Sequence, residues 1–171
     1  MNRIILSIPV NFQQRIGMTQ KLKIEIREAV RSDIDALVQL LKILFSMEED
    51  FSFDETLQRR GLEMFLTHQK DRCIMVAESE GNVIGMCSVQ LLVSTAEGGL
   101  SGWVEDMVVS PSYHGKGVGQ KLLVSIEKWA AERGATRLQL LADRNNQPAL
   151  RFYDKMNWAG TQLICLHKKP L

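Results

Sequence analysis

The sequence predicts one mixed α/β (α+β) domain, and three observations carry that prediction. The chain has 171 residues, enough to bury about 70% of its unfolded surface around a single core. Its hydrophobic period switches repeatedly between 3.6 and 2. The resulting runs follow the order βααβββαβαβ, with no internal repeat, low-complexity tract or interdomain linker.

Residues 1–20 read as a poorly determined extension, and Met18 could serve as the natural start because the patterned region, 21–171, begins just after it. "KIEIRE" alternates as a strand. Ser32 with Asp35 three residues on reads as a capping box. Ile34, Leu37, Val38, Leu41, Leu44 and Phe45 then form one helical stripe. A second helix is expected over about 54–68, with Leu57, Leu62, Phe65 and Leu66 inward. "RCIMVAES" and "NVIGMCSVQLLV" are strands joined at "EGN", a hairpin turn. "TAEGGLSG" reads as a glycine-rich loop before the strand "WVEDMVV". Val118, Leu122, Ile126 and Trp129 recur at helical spacing, and Gly134 supplies the stop. "TRLQLLA" is a strand, Asn146 caps a last helix with Pro148 in its first turn, and "TQLICLH" is expected to close as a strand.

The composition excludes several classes. A formal net charge of +1 argues against a dedicated nucleic-acid binder, which normally carries a strong basic excess. No apolar run approaches the ~18 residues of a membrane span, and Pro9 interrupts the short apolar run at the N-terminus, so no signal peptide is read. Cys73, Cys87 and Cys165 are widely spaced in apolar runs and read as buried free thiols of a reducing compartment. The protein is expected to be cytoplasmic. His68, His114 and His167 lack metal-binding spacing, and no metal is expected. Met47, Met64, Met75 and Met86 read as fillers of core or pocket gaps.

The stretch "SPSYHGKGVGQKLL" places three glycines on alternate positions between a strand and a helix. A nucleotide-hydrolysing P-loop would need Gly at Ser110 and a hydroxyl at Gly117. A dinucleotide fingerprint would need its third glycine at Gln120. Both fail. Glycines that admit close approach, ahead of a helix N-terminus, still suit an anion such as a pyrophosphate. A plain connector that needs positive φ explains the glycines equally well on their own.

The flanking residues decide between these. "VEDMVVSPSYHGKGVGQKLL" resembles the signature of the GNAT (GCN5-related N-acetyltransferase) family, a strand, a [Q/R]-x-x-G-x-[G/A] loop and a helix. "NQPALRFYDKMNW" is similar to that family's N-x-x-A-x-x-F-Y-x-K-x-G-F segment. Together with the element order, the likeness covers roughly residues 24–167. It implies a central, mostly antiparallel twisted sheet of about six to seven strands flanked by about four helices. It also implies acetyl-CoA as co-substrate. His114 stands where the family carries Gln or Arg, and Asn157 where it carries Gly, a position Asn tolerates because it enters the left-handed region.

Carried over residue by residue, the resemblance gives Met107, Val108 and Val109 the alignment of the pantetheine arm through their backbone. The pyrophosphate falls to the loop His114, Gly115, Lys116, Gly117, Val118, Gly119 and Gln120, and Asn146 touches the CoA arm. Tyr153 matches the tyrosine that protonates the CoA sulfur; periodicity alone favours reading Phe152 and Tyr153 as a packing pair. Glu105 and Asp106 are adjacent on a strand, so they are expected on opposite faces. "VEDMVV" also resembles the corresponding strand of diamine acetyltransferases, which makes Glu105 the general base and Asp106 a substrate contact.

The acceptor wall in this family lies at the first two helices. Here it reads "FSMEEDFSFDE", acids interleaved with phenylalanines, and Glu48, Glu49 and Phe51 are the expected acceptor contacts. A small cationic amine would suit them. Acetylation of a protein N-terminus or lysine, or a silent acyl-CoA-binding domain, are the alternatives. Homodimers are common in the family.

Overall fold

The computed structural model of the chain describes residues 23–47, 51–67 and 70–168. The extension over residues 1–20, together with Glu48 and Glu49, lies outside them. The elements follow as β1 (Glu25–Glu28), α1 (Ile34–Phe45), α2 (Glu55–Thr67), β2 (Arg72–Ser79), β3 (Asn82–Ser94), β4 (Gly99–Val109), α3 (Val118–Glu132), β5 (Ala135–Leu140) and α4 (Gln147–Lys155). The strands form one sheet in sequence order, antiparallel from β1 to β4, with β5 joining β4 in parallel.

The mostly antiparallel sheet and four helices match the expectation, but among the described residues the sheet has five strands, not six or seven. The missing one is "TQLICLH", which enters no ladder among the described residues. Leu163 and Leu166 stand 86% and 83% exposed. An apolar run becomes a strand only against an edge and a packed face, and this run has neither. Cys165 is exposed with it, which corrects its reading as a buried thiol; Cys73 and Cys87 are buried.

Period-two alternation sorts the core onto the two faces of the sheet. Ile74, Val76, Met86 and Val108 face α1 and Leu62 of α2. Cys73, Met75, Ala77, Cys87, Val89 and Val104 face α3, which buries Val118, Leu122, Ile126 and Trp129. Met47 and Met64 are exposed, so only Met75 and Met86 fill the core. Leu57, expected inward, is exposed as well.

Local chemistry fixes the turns. Ser79 pairs with Asn82 across Glu80 and Gly81, whose φ values of 52° and 76° define the two-residue hairpin favoured by strand twist. Strand β4 begins at Gly99 rather than Trp103, because "GLSG" pairs with β3 instead of looping. Gly102 allows β5 to close on it, since a side chain there would run into Leu138.

The start of α1 does not use a Ser32 capping box. Asp33, itself buried, accepts the Val30 N–H at 2.8 Å and two guanidinium bonds from Arg27 at 2.7 and 3.0 Å. Those Arg27 bonds hold the Asp33 carboxyl below its ordinary pKa, against the opposing effect of burial. Its stabilisation is therefore complete above the unfolded-state pKa of about 4 and is lost as pH falls through the lower folded value. Asp33→Asn is expected to cost about 1.5–3 kcal/mol near neutrality and to flatten the acid side of the stability curve, as measured by urea unfolding at several pH values.

Candidate active site

The site forms where β4 leaves β5. Their pairing ends at Val104 and Leu140, so from Glu105 to Val109 the β5-facing edge of β4 has no strand partner among the described residues. This is where the sequence places the backbone alignment by Met107, Val108 and Val109. His114 lies exposed with Nε2 2.7 Å from the Val109 carbonyl oxygen. A carbonyl only accepts, so Nε2 donates and ties the ring back onto the strand.

The glycine loop divides by role. Gly115 and Gly117 have φ of 72° and 76°, and open space surrounds both. Gly117 is the N-cap of α3, whose first helical bond runs from the Lys121 N–H to the Gly117 carbonyl at 3.2 Å. The N–H groups of Val118, Gly119 and Gln120 thus have no intrahelical acceptor, which is the arrangement that receives an anion. Gly119 serves packing instead. A Cβ there would lie 3.1 Å from Met107 Cε and 3.5 Å from Phe152 Cζ, so this glycine lets α3, β4 and α4 meet. Lys116 rests over the Tyr113 ring at 5.0 Å.

On α4, Asn146 caps the helix by accepting the Ala149 N–H at 3.1 Å. Tyr153 meets Phe152 edge-on at 5.2 Å and Trp158 at 6.1 Å. Trp158 is anchored by its Nε1 donating to Glu127 at 3.0 Å, and Asn157 turns the chain with φ 63°. Burial pushes the Tyr153 phenol up to about 12, with the Cys87 thiol adding to the shift. It remains a proton donor across the physiological range.

Glu105 and Asp106 correct the expectation of opposite faces. On β3 and β4, Met86 pairs with Val108 and Ser88 with Glu105, so one residue of β3, Cys87, faces two of β4. This is a bulge, and Asp106 occupies it in the left-handed region with φ 51°. Both carboxylates consequently line one cleft, with Leu41, Phe45, Leu57, Gln58, Gly61, Leu62, Phe65 and Gln90. The Ser88 hydroxyl, fully buried, donates to Asp106 at 3.2 Å. Phe51 stacks on Phe45 at 6.0 Å and meets the His167 ring at 5.9 Å.

The sequence reading missed Ser88, Gln90 and Gln58. The available signal was two polar residues at alternate positions of an otherwise apolar strand, Ser88 and Gln90. Among the described residues no cluster of His, Cys, Asp and Glu could hold a metal ion, and no helix is long and apolar enough to cross a membrane.

A β4 edge parted from β5, a helix start with free N–H groups after a glycine loop, and a half-buried phenol fit the acetyl-CoA-dependent N-acetyltransferases that the sequence resembles. The Acetyltransferase (GNAT) family profile matches residues 34–158. The chain belongs to that family. It is 28% identical over 130 residues to an uncharacterised N-acetyltransferase of Archaeoglobus fulgidus, covering 75% of this chain and 88% of that protein. It is 26% identical over 148 residues to the glucosamine 6-phosphate N-acetyltransferase of Trypanosoma brucei brucei, covering 82% and 92%. The fold matches the crystal structure of a possible acetyltransferase from Clostridium difficile 630 with TM-score 0.76 at 19% identity, covering 86% and 98%. An aminoglycoside N-acetyltransferase in complex with CoA matches with TM-score 0.74 at 15% identity, covering 88% and 97%. Nothing in these relatives singles out the diamine branch.

Proposed function

We propose that the enzyme acetylates a small cationic amine by direct attack within a ternary complex. The loop from His114 to Gln120 and Asn146 hold acetyl-CoA, the backbone of Met107 to Val109 aligns its arm, and Tyr153 protonates the leaving sulfur. The Glu105–Asp106 pair receives the amine, with Phe51 on the wall and Glu48 and Glu49 adding negative charge from the α1–α2 connection. One observation carries this reading. Two carboxylates share an apolar cleft in which no Lys or Arg is among the described lining residues.

An ammonium group entering that cleft meets opposite charge, and apolar walls favour loss of its proton before attack. A phosphorylated amino sugar, the substrate in the trypanosomal relative's name, would meet no cation among the described lining residues. At about 210 Å³ the cleft is smaller than the roughly 300–1,000 Å³ typical of pockets that take a whole drug-sized ligand, which fits the amine-bearing end of an acceptor. A panel of amines, followed by release of free CoA thiol, is expected to give turnover with cationic amines that carry an apolar portion. Turnover confined to neutral or anionic amines would overturn the reading. Turnover confined to peptides would favour protein acetylation.

A further inference from the structure

We propose that Asp106, held in place by the bulge and by Ser88, is the carboxylate that takes the acceptor's proton, while Glu105 at the open rim attracts and holds its charge. This rests on the acetyl-transfer reading above and divides the roles within its acidic pair.

Three observations support the division. Asp106 is a non-glycine residue in the left-handed region, a conformation that costs about 1 kcal/mol relative to glycine. The sheet gains nothing from that residue's side chain in its core, and strain of this kind gathers where a side chain must be aimed. Ser88, paired with Glu105 beside the bulge, is fully buried and spends its donor on Asp106, whereas Glu105 is exposed. The bulge sets two residues of β4 opposite Cys87, which brings Asp106 into the same cleft as Glu105.

The step balances. The acceptor ammonium gives one proton to Asp106, which passes it to solvent. The freed nitrogen lone pair forms the C–N bond at the thioester carbonyl carbon, and the C–S bond breaks. The departing sulfur takes the Tyr153 proton, and the second proton lost from nitrogen restores the phenol. Ser88 is a positioning residue that donates to the ionised form of Asp106 and so favours that form.

Among the described residues, Glu105 on its own strand and Cys87 from β3 are titratable groups beside Asp106. From α1 and α2 the described lining contributes only the neutral Gln58. The test is the pH profile of kcat/KM with an amine that the wild type acetylates, read by CoA thiol release. Asp106→Asn, which tolerates the same backbone, is expected to abolish the acid limb and lower kcat at least a hundredfold. Ser88→Ala is expected to move that limb to higher pH with kcat reduced several-fold. Glu105→Gln is expected to leave the limb in place and raise the acceptor KM.

An acid limb that survives in Asp106→Asn overturns the assignment, and a limb unmoved in Ser88→Ala overturns the part given to Ser88. Asp106→Gly, expected to be at least as thermally stable as wild type, separates lost chemistry from lost folding; a fall in its melting temperature would overturn the claim that the side chain is there for function. Failure of the wild type to turn over any amine would instead overturn the acetyl-transfer reading, and this assignment with it.

Discussion

Tyr153→Phe is expected to lower kcat about a hundredfold, the lower end of what general acid catalysis contributes, with little change in the acceptor KM. The phenol is pushed up to about 12 by burial, so it is fully protonated at working pH and holds a proton for the departing sulfur. Loss of one oxygen leaves the ring contacts with Phe152 and Trp158 in place, so the melting temperature should hold. Because the folded phenol titrates only near pH 12, no basic limb below that value should arise from Tyr153 in the wild type. Saturating steady-state kinetics of both proteins from pH 6 to 10 checks the two statements together. An unchanged kcat would return Tyr153 to the role of an aromatic prop.

Gly119→Val should weaken acetyl-CoA binding about tenfold or more. A Cβ alone already comes within 3.1 Å of Met107 Cε, and two further methyl groups must displace either that side chain or Phe152. Overpacking of this kind costs about 1–3 kcal/mol. Here it acts by lifting the start of α3, and with it the free N–H groups of Val118, Gly119 and Gln120, away from β4. Calorimetric titration with CoA measures the loss. Affinity equal to wild type would show that the cradle does not depend on the closeness of α3 to β4.

The glycine loop and α4 were far more legible in the sequence than the acidic cleft, and the reason is physical. The glycine loop, the Asn146 cap, the Gly134 stop and the aromatic pair on α4 are local in sequence, because each does its work within one turn of chain. The acidic cleft is assembled from α1, α2, β3 and β4, and the pairing of Ser88 with Asp106 appears only when the sheet register sets them side by side. The faces of Glu105 and Asp106 were misread because strict alternation holds only for a regular strand, and a bulge leaves no sequence mark when its residue is not glycine. The last strand failed similarly. "TQLICLH" has strand composition, but composition cannot supply the edge on which a strand would pair. Gly102 was read as loop for the opposite reason, since its need to be small comes from Leu138 across the sheet.

The bulge in β4 also changes how the strand can be counted. Before it, Val104 faces α3; after it, Met107 and Val109 do, while Val108 faces α1. Removal of one residue at Asp106 would restore an unbroken odd–even pattern from Val104 to Val109 with every apolar side chain on its present side. The strand is therefore a regular one carrying a single extra letter, and that letter is an acid. In this sheet an acid side chain and a frame shift in the hydrophobic pattern fall on the same residue.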